Sequence, residues 1–208
     1  MEHVSDGRVH ALVMIGSSTG GPSALTDLLR SFDPVPGVAC CVVQHMPRGF
    51  TANLARRLND CSRWQVVEAQ DGVQVRAGVV YVAPAGRQMR LGKQNEILAL
   101  YVQKGEPVSG HQPSVDVLFH SAAMSPFRDL TLIGVLMTGM GRDGAQGLLA
   151  LRAFGGLTIA ESEATAVIYG MPKAAIEAGA AMEVLPRQEI ASLLETHLRT
   201  CRETRTRG

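Results

Sequence analysis

At 208 residues with 46% hydrophobic content, the chain is long enough for one well-packed core and too short for two comfortable domains. A formal net charge of +1 gives no electrostatic reason to expect nucleic acid, and aromatics at only 4% leave aliphatic side chains to supply most of the burial. No apolar run reaches membrane-spanning length and no charged-then-apolar leader is visible, so no membrane insertion and a cytoplasmic address are expected.

The first predicted element is the strand His10-Ala11-Leu12-Val13-Met14-Ile15, an apolar run of the kind buried in parallel sheets. It leads into Gly16-Ser17-Ser18-Thr19-Gly20-Gly21-Pro22, after which Leu25, Leu28, Leu29 and Phe32 are spaced as one face of a helix. Gly16 and Gly20 bracket Ser18 in a G-x-S-x-G pattern, which would let the backbone turn tightly and keep Cβ atoms from a substrate. Ser18 is therefore a candidate nucleophile at the carboxyl edge of a sheet, although such loops also serve as plain connections or phosphate cradles.

A serine nucleophile needs a base, and the base an orienting group. The second strand, Val38-Ala39-Cys40-Cys41-Val42-Val43-Gln44, is followed at once by His45-Met46-Pro47, which places His45 where a strand stops. The other histidines lie less well: His3 and His10 near the start, His111 in a polar loop, His120 in a helix and His197 near the end.

Gly78-Val79-Val80-Tyr81-Val82-Ala83-Pro84 reads as another buried strand, and residues 89–92 and 96–101 as a hairpin turning at Lys93-Gln94-Asn95. Val115, Leu118, Phe119 and Ala122 then form the apolar face of a helix, where Asp116 is explained by the helix dipole. The strand beginning Leu130-Thr131-Leu132-Ile133 runs into Thr138-Gly139-Met140-Gly141-Arg142-Asp143-Gly144, and Asp143 reads equally well as a helix N-cap and as the orienting carboxylate. Residues 144–154, 172–178 and 188–198 read as helices, and 156–160 and 182–185 as late strands. Glu161-Ser162-Glu163-Ala164-Thr165 reads as a helix start. The alternation predicts a doubly wound α/β domain with a mainly parallel sheet, helices on both faces and a small antiparallel hairpin.

Cys40, Cys41, Cys61 and Cys201 lack metal-site spacing, so neither a metal site nor a disulfide framework is expected, and no cofactor is implied. Residues 199–208 are basic and polar, and disorder is expected there.

Five blocks in order, Ser17-Ser18-Thr19-Gly20-Gly21, Gln44-His45-Met46-Pro47, residues 111–119, Thr138-Gly139-Met140-Gly141-Arg142-Asp143-Gly144 and Gly170-Met171-Pro172, together resemble the catalytic domain of the chemotaxis methylesterase CheB. The resemblance covers about residues 10–190. It implies hydrolysis of glutamate γ-methyl esters on the cytoplasmic helices of chemoreceptors, with release of methanol, and deamidation of receptor glutamines. It makes Ser18 the nucleophile, His45 the general base and Asp143 its orienting group, and sets Thr19 and Met140 beside the developing oxyanion. Arg142, where many relatives have a smaller polar residue, and Gln112, where they often have arginine, depart from the family pattern.

Typical relatives also carry an amino-terminal receiver domain. Here residues 1–9 read as a short lead, 10–198 as the catalytic domain and 199–208 as the tail. A natural single-domain esterase, constitutive or under a separate regulatory partner, is the favoured reading, with an excised catalytic domain as the alternative. Two readings from other classes remain. A phosphate- or nucleotide-binding domain would use the glycine loop but leave His45 and Asp143 without a purpose, and a catalytically silent receptor-binding module would not need all three side chains.

Overall fold

The computed structural model describes residues 9–124, 126 and 129–206; all but the last residue of the expected lead 1–9, residues 125, 127 and 128, and the last two residues of the expected tail lie outside the described set. The chain opens with β1 (Ala11–Ser17), α1 (Gly21–Ser31), β2 (Val38–Gln44), α2 (Thr51–Cys61) and β3 (Gln65–Glu68). Next come β4 (Val73–Gln74), β5 (Val79–Val82), β6 (Gln88–Gln94), β7 (Ile97–Gln103) and α3 (Val115–Ala123). The last third holds β8 (Thr131–Leu136), α4 (Ala145–Phe154), β9 (Leu157–Glu161), α5 (Met171–Glu177), β10 (Glu183–Leu185) and α6 (Arg187–Thr206).

Seven strands form one parallel sheet in the order β10-β9-β8-β1-β2-β5-β3, while β4-β7-β6 make a separate antiparallel sheet. The alternation of side chains along β1 splits the core in two. Leu12 and Met14 face the cluster built by α3, α4, α5 and the small sheet, through Val115, Leu118, Phe119, Leu148, Met171, Met89 and Leu100. Ala11, Val13 and Ile15 face the opposite cluster, with Leu25 and Leu28 of α1, Leu54 and Leu58 of α2, and Ile190 and Leu194 of α6. Both faces are covered, which is why β1 and β2 are apolar up to their carboxyl ends, where the buried Ser17 and Gln44 stand, rather than alternating.

From β1 the chain winds outward through β2 towards β5 and β3, then returns to place β8 on the other flank of β1. The carboxyl ends of β1 and β8 are thus the topological switch point, where open α/β sheets form their crevice.

Several expectations are revised. Helix α2, whose buried Leu54, Ala55 and Leu58 sit in a mostly polar stretch, was not anticipated, and neither were the short strands β3 and β4. The hairpin turns one residue later than expected, because the strands pair up to Gln94 with Ile97 and Asn95 and Glu96 take φ of 49° and 66°. That turn needs left-handed conformation at both central residues, and Asn-Glu carries only half of the usual signal. No helix starts at Glu161. It ends β9, and α5 begins only at Met171, because the Glu161 carboxylate is drawn into the core by the backbone N–H of Thr138 at 2.8 Å and by Arg187 at 3.1 Å.

The tail expected to be disordered from residue 199 instead continues α6 to Thr206. The helix is anchored by Ile190, Ala191, Leu194 and Leu198, so its polar final turns only propagate a helix already nucleated. Among the described residues no helix is long and apolar enough to cross a membrane.

Cys40 and Cys41 are fully buried within β2, and burial, with the neighbouring Cys41 as a second cause at Cys40, raises both thiols far above the usual cysteine range. A thiol reagent is therefore expected to modify the half-buried Cys61 and Cys201 of the native chain and to reach Cys40 and Cys41 only after unfolding. Mass spectrometry of the labelled chain checks this; four modified cysteines in the folded protein would contradict the placement of β2.

Candidate active site

Ser18 is the first residue beyond β1, and the register of the parallel pair sets it beside His45, since Ser17 lies opposite Gln44. Backbone bonds fix the serine from both flanks: Ser18 N–H donates to Thr138 O at 2.9 Å, and His45 N–H donates to Ser17 O at 3.0 Å. Gln44, buried at the end of β2, fastens the two turns together. Its Oε1 accepts from Ser17 Oγ at 2.7 Å, and its Nε2 donates to Ser18 O and His45 O, each at 2.8 Å.

The glycines flanking Ser18 have separate physical reasons. A Cβ at Gly16 would lie 2.3 Å from Val115 Cγ1, so this glycine admits the first turn of α3 against β1 rather than clearing space for a substrate. Gly20 takes φ of 81° as it enters α1, a conformation that L side chains rarely adopt.

His45 Nε2 lies 2.8 Å from Asp143 Oδ2, with the two side chains 7% and 0% exposed. The same carboxylate accepts from Ser114 Oγ at 2.7 Å, Val115 N–H at 2.8 Å and Asp116 N–H at 3.1 Å. Ser114 is the N-cap of α3, so Asp143 sits on the amino-terminal end of α3, where amides and dipole favour a negative charge. Burial alone would raise its pKa, but the bonds from His45, Ser114, Val115 and Asp116 outweigh it and hold the carboxyl below the usual range.

This separates the two sequence readings of Asp143. It does not cap α4, whose N-cap is Gly144 without a side-chain bond. Asp116 serves α4 instead, its Oδ1 accepting Gly147 N–H at 2.7 Å, and burial raises its carboxyl above the ordinary value. The two aspartates are exchanged: each carboxylate holds the amino-terminal end of the other's helix.

With Asp143 ionised, its bond fixes the imidazole proton on Nε2 and leaves Nδ1 as the basic atom. His45 Nδ1 is buried with no partner among the described residues, so the serine hydroxyl is not yet bonded to it. Bonds between a candidate nucleophile and its base often tighten only with substrate bound. The N–H groups of Thr19 and Met140 have no protein acceptor among the described residues, while Gly139 between Thr138 and Met140 is tied to the 168–171 segment by bonds of 2.9–3.0 Å. Met140 itself is 73% exposed.

Thr138 is held in turn by the Glu161 carboxylate, which also accepts from Thr165 Oγ1 and Arg187 Nε, and Arg187 continues to Asp27 at 2.8 Å. Sequence reasoning missed this network, and it missed His111, whose ring stacks on His45 with centroids 3.7 Å apart and planes 6° from parallel. Both involve residues far apart in the chain. The signal that could have found His111 was its place at the start of the 111–119 block that carries the family resemblance.

The fold defines the class, a doubly wound α/β domain, with Ser18, His45 and the buried Asp143 gathered at the carboxyl edge of its sheet. The family model for the CheB methylesterase matches residues 13–194, and the chain belongs to that family. The chain is 46% identical over 188 residues to a Bordetella parapertussis protein named protein-glutamate methylesterase/protein-glutamine glutaminase, covering 90% of this chain and 53% of that one. An Anaeromyxobacter dehalogenans protein carrying the same name with the number 1 is 49% identical over 181 residues, 87% of this chain and 51% of its own. The chain thus spans about half the length of the curated relatives it matches. The crystal structure of the Thermotoga maritima CheB methylesterase catalytic domain superposes with a TM-score of 0.81 at 40% identity, covering 88% of this chain and 96% of that one.

Proposed function

We propose that this chain, over residues 10–198, hydrolyses glutamate γ-methyl esters on the cytoplasmic domains of methyl-accepting chemoreceptors, releasing methanol, and deamidates receptor glutamines, acting in the cytoplasm. The observation that carries the reading is the buried His45–Asp143 pair seated on the start of α3, with His45 following β2 in register with Ser18 at the end of β1. The shared name of the curated relatives supports the substrate class.

In this mechanism the Ser18 hydroxyl attacks the ester carbonyl as His45 Nδ1 takes its proton, and Asp143 stabilises the imidazolium through Nε2–H. The amides of Thr19 and Met140 receive the oxyanion, where one donor is typically worth about 2.7–4 kcal/mol of barrier. His45 then returns the proton to the departing methoxide, giving methanol and an acyl-serine. Water, deprotonated by the same nitrogen, hydrolyses that ester and restores the carboxylate. For a glutamine the leaving group is ammonia. A phosphate-binding loop would need none of the His45–Asp143 machinery.

The test is methanol release from methylated chemoreceptor cytoplasmic fragments by the purified chain. Release that depends on Ser18 is expected; a folded chain that releases none from several receptors would sink the reading.

A further inference from the structure

The proposed mechanism leaves His111 unused, yet its ring lies flat on the side chain proposed as the base. Its own position is tightly built. Ser109 and Gly110 take φ of 52° and 79° in a turn closed by Val108 N–H to His111 O at 3.0 Å and His111 N–H to Val108 O at 2.9 Å. Gln88, fully buried, donates from Nε2 to His111 O at 3.2 Å and accepts Ser114 N–H on Oε1 at 2.9 Å. Ser114 in turn donates to Asp143. One buried amide therefore couples the residue on the face of His45 to the carboxylate at its edge.

We infer that His111 is a positioning residue for His45: its ring is the platform that sets the plane of the imidazole, aims Nδ1 at Ser18 and favours the imidazolium formed when the serine gives up its proton. This rests on the hydrolase reading above. Asp143 fixes only one edge of His45, which leaves rotation about that bond free, and a parallel ring at 3.7 Å removes that freedom. A neutral aromatic face also attracts a cation, an effect of about 0.5–2 kcal/mol, or roughly 2- to 30-fold in rate. Burial and then the nearby His45 lower the His111 pKa from its ordinary value, with Asp143 opposing, a direction that favours the neutral ring.

The experiment compares H111F, H111A and H111K for kcat and KM on a methylated receptor fragment, with proton NMR of the His45 ring in each. H111A is expected to lower kcat by roughly 2- to 30-fold at unchanged KM. H111F should recover most of that loss, and H111K, which sets a cation over the forming imidazolium, should be slower than H111A. Wild-type kcat in H111A, equal losses in H111A and H111F, or a loss confined to KM overturns the inference. The His45 ring protons should be shielded in wild type and H111F and move downfield in H111A; signals that stay put in H111A overturn the platform alone. Absence of Ser18-dependent turnover in the wild-type chain overturns the hydrolase reading itself.

Discussion

Ser18→Ala and His45→Ala are each expected to lower methyl-ester turnover by about 10⁴- to 10⁶-fold, and the double variant to fall little further. The hydroxyl without a base is a poor nucleophile, and the base without the hydroxyl has nothing to activate, so removing either removes the same step. Both variants should keep the wild-type fold. Ser18 is half-buried at a turn fixed by backbone bonds, and Gln44, rather than either side chain, ties the two strand ends together. Methanol release from matched preparations, with circular dichroism as the fold control, measures this. Losses that multiply in the double variant would show that the two side chains act independently.

Asp143→Asn should lower turnover by about 10⁴-fold while the chain remains folded. An asparagine amide placed at Oδ2 meets Val115 N–H and His45 Nε2 with a donor where both need an acceptor. The imidazole can answer only by moving its proton to Nδ1, which closes the position that should accept from Ser18. With the amide reversed, the tautomer survives but the imidazolium loses its counter-charge. Asp143→Ala should also destabilise the fold, because Val115 N–H and Asp116 N–H are left buried without an acceptor, at about 1–3 kcal/mol each.

The same carboxylate sets a pH dependence. Its folded pKa lies below the usual value of about 3.9, so its stabilisation is complete above that pH and is lost as the pH falls through the lower folded value. Urea midpoints followed from pH 7 into acid should fall less steeply for Asp143→Asn than for wild type. Parallel curves would mean that Asp143 does not contribute to acid sensitivity.

The α/β architecture was legible because its strongest signals are local. β1, β2 and β8 each hold a run of four or more apolar residues in sequence or broken by a single glycine, followed by a polar or glycine-rich turn, so the parallel sheet and its carboxyl edge follow from the pattern of residues alone. Elements with weaker local signals were missed or misplaced. Helix α2 buries only a few residues of a polar stretch, and the last turns of α6 look like a solvated tail until the anchored helix before them is seen.

By itself, then, the sequence determined the fold class, the strand ends that carry Ser18 and His45, and the family, since each depends on neighbouring residues and on motifs in order. Only the tertiary structure decided that Asp143 serves α3 while Asp116 serves α4, that Gln44 fastens the serine turn to the histidine turn, and that His111 covers His45. A carboxylate just before a helix has one local explanation, the cap of that helix, and it takes the close approach of α3 and α4 to offer a second amino-terminal end within hydrogen-bond reach. His111 lies 66 residues beyond His45 in the numbering, and no periodicity links them; the stack exists because the Val108–His111 turn folds back over the end of β2.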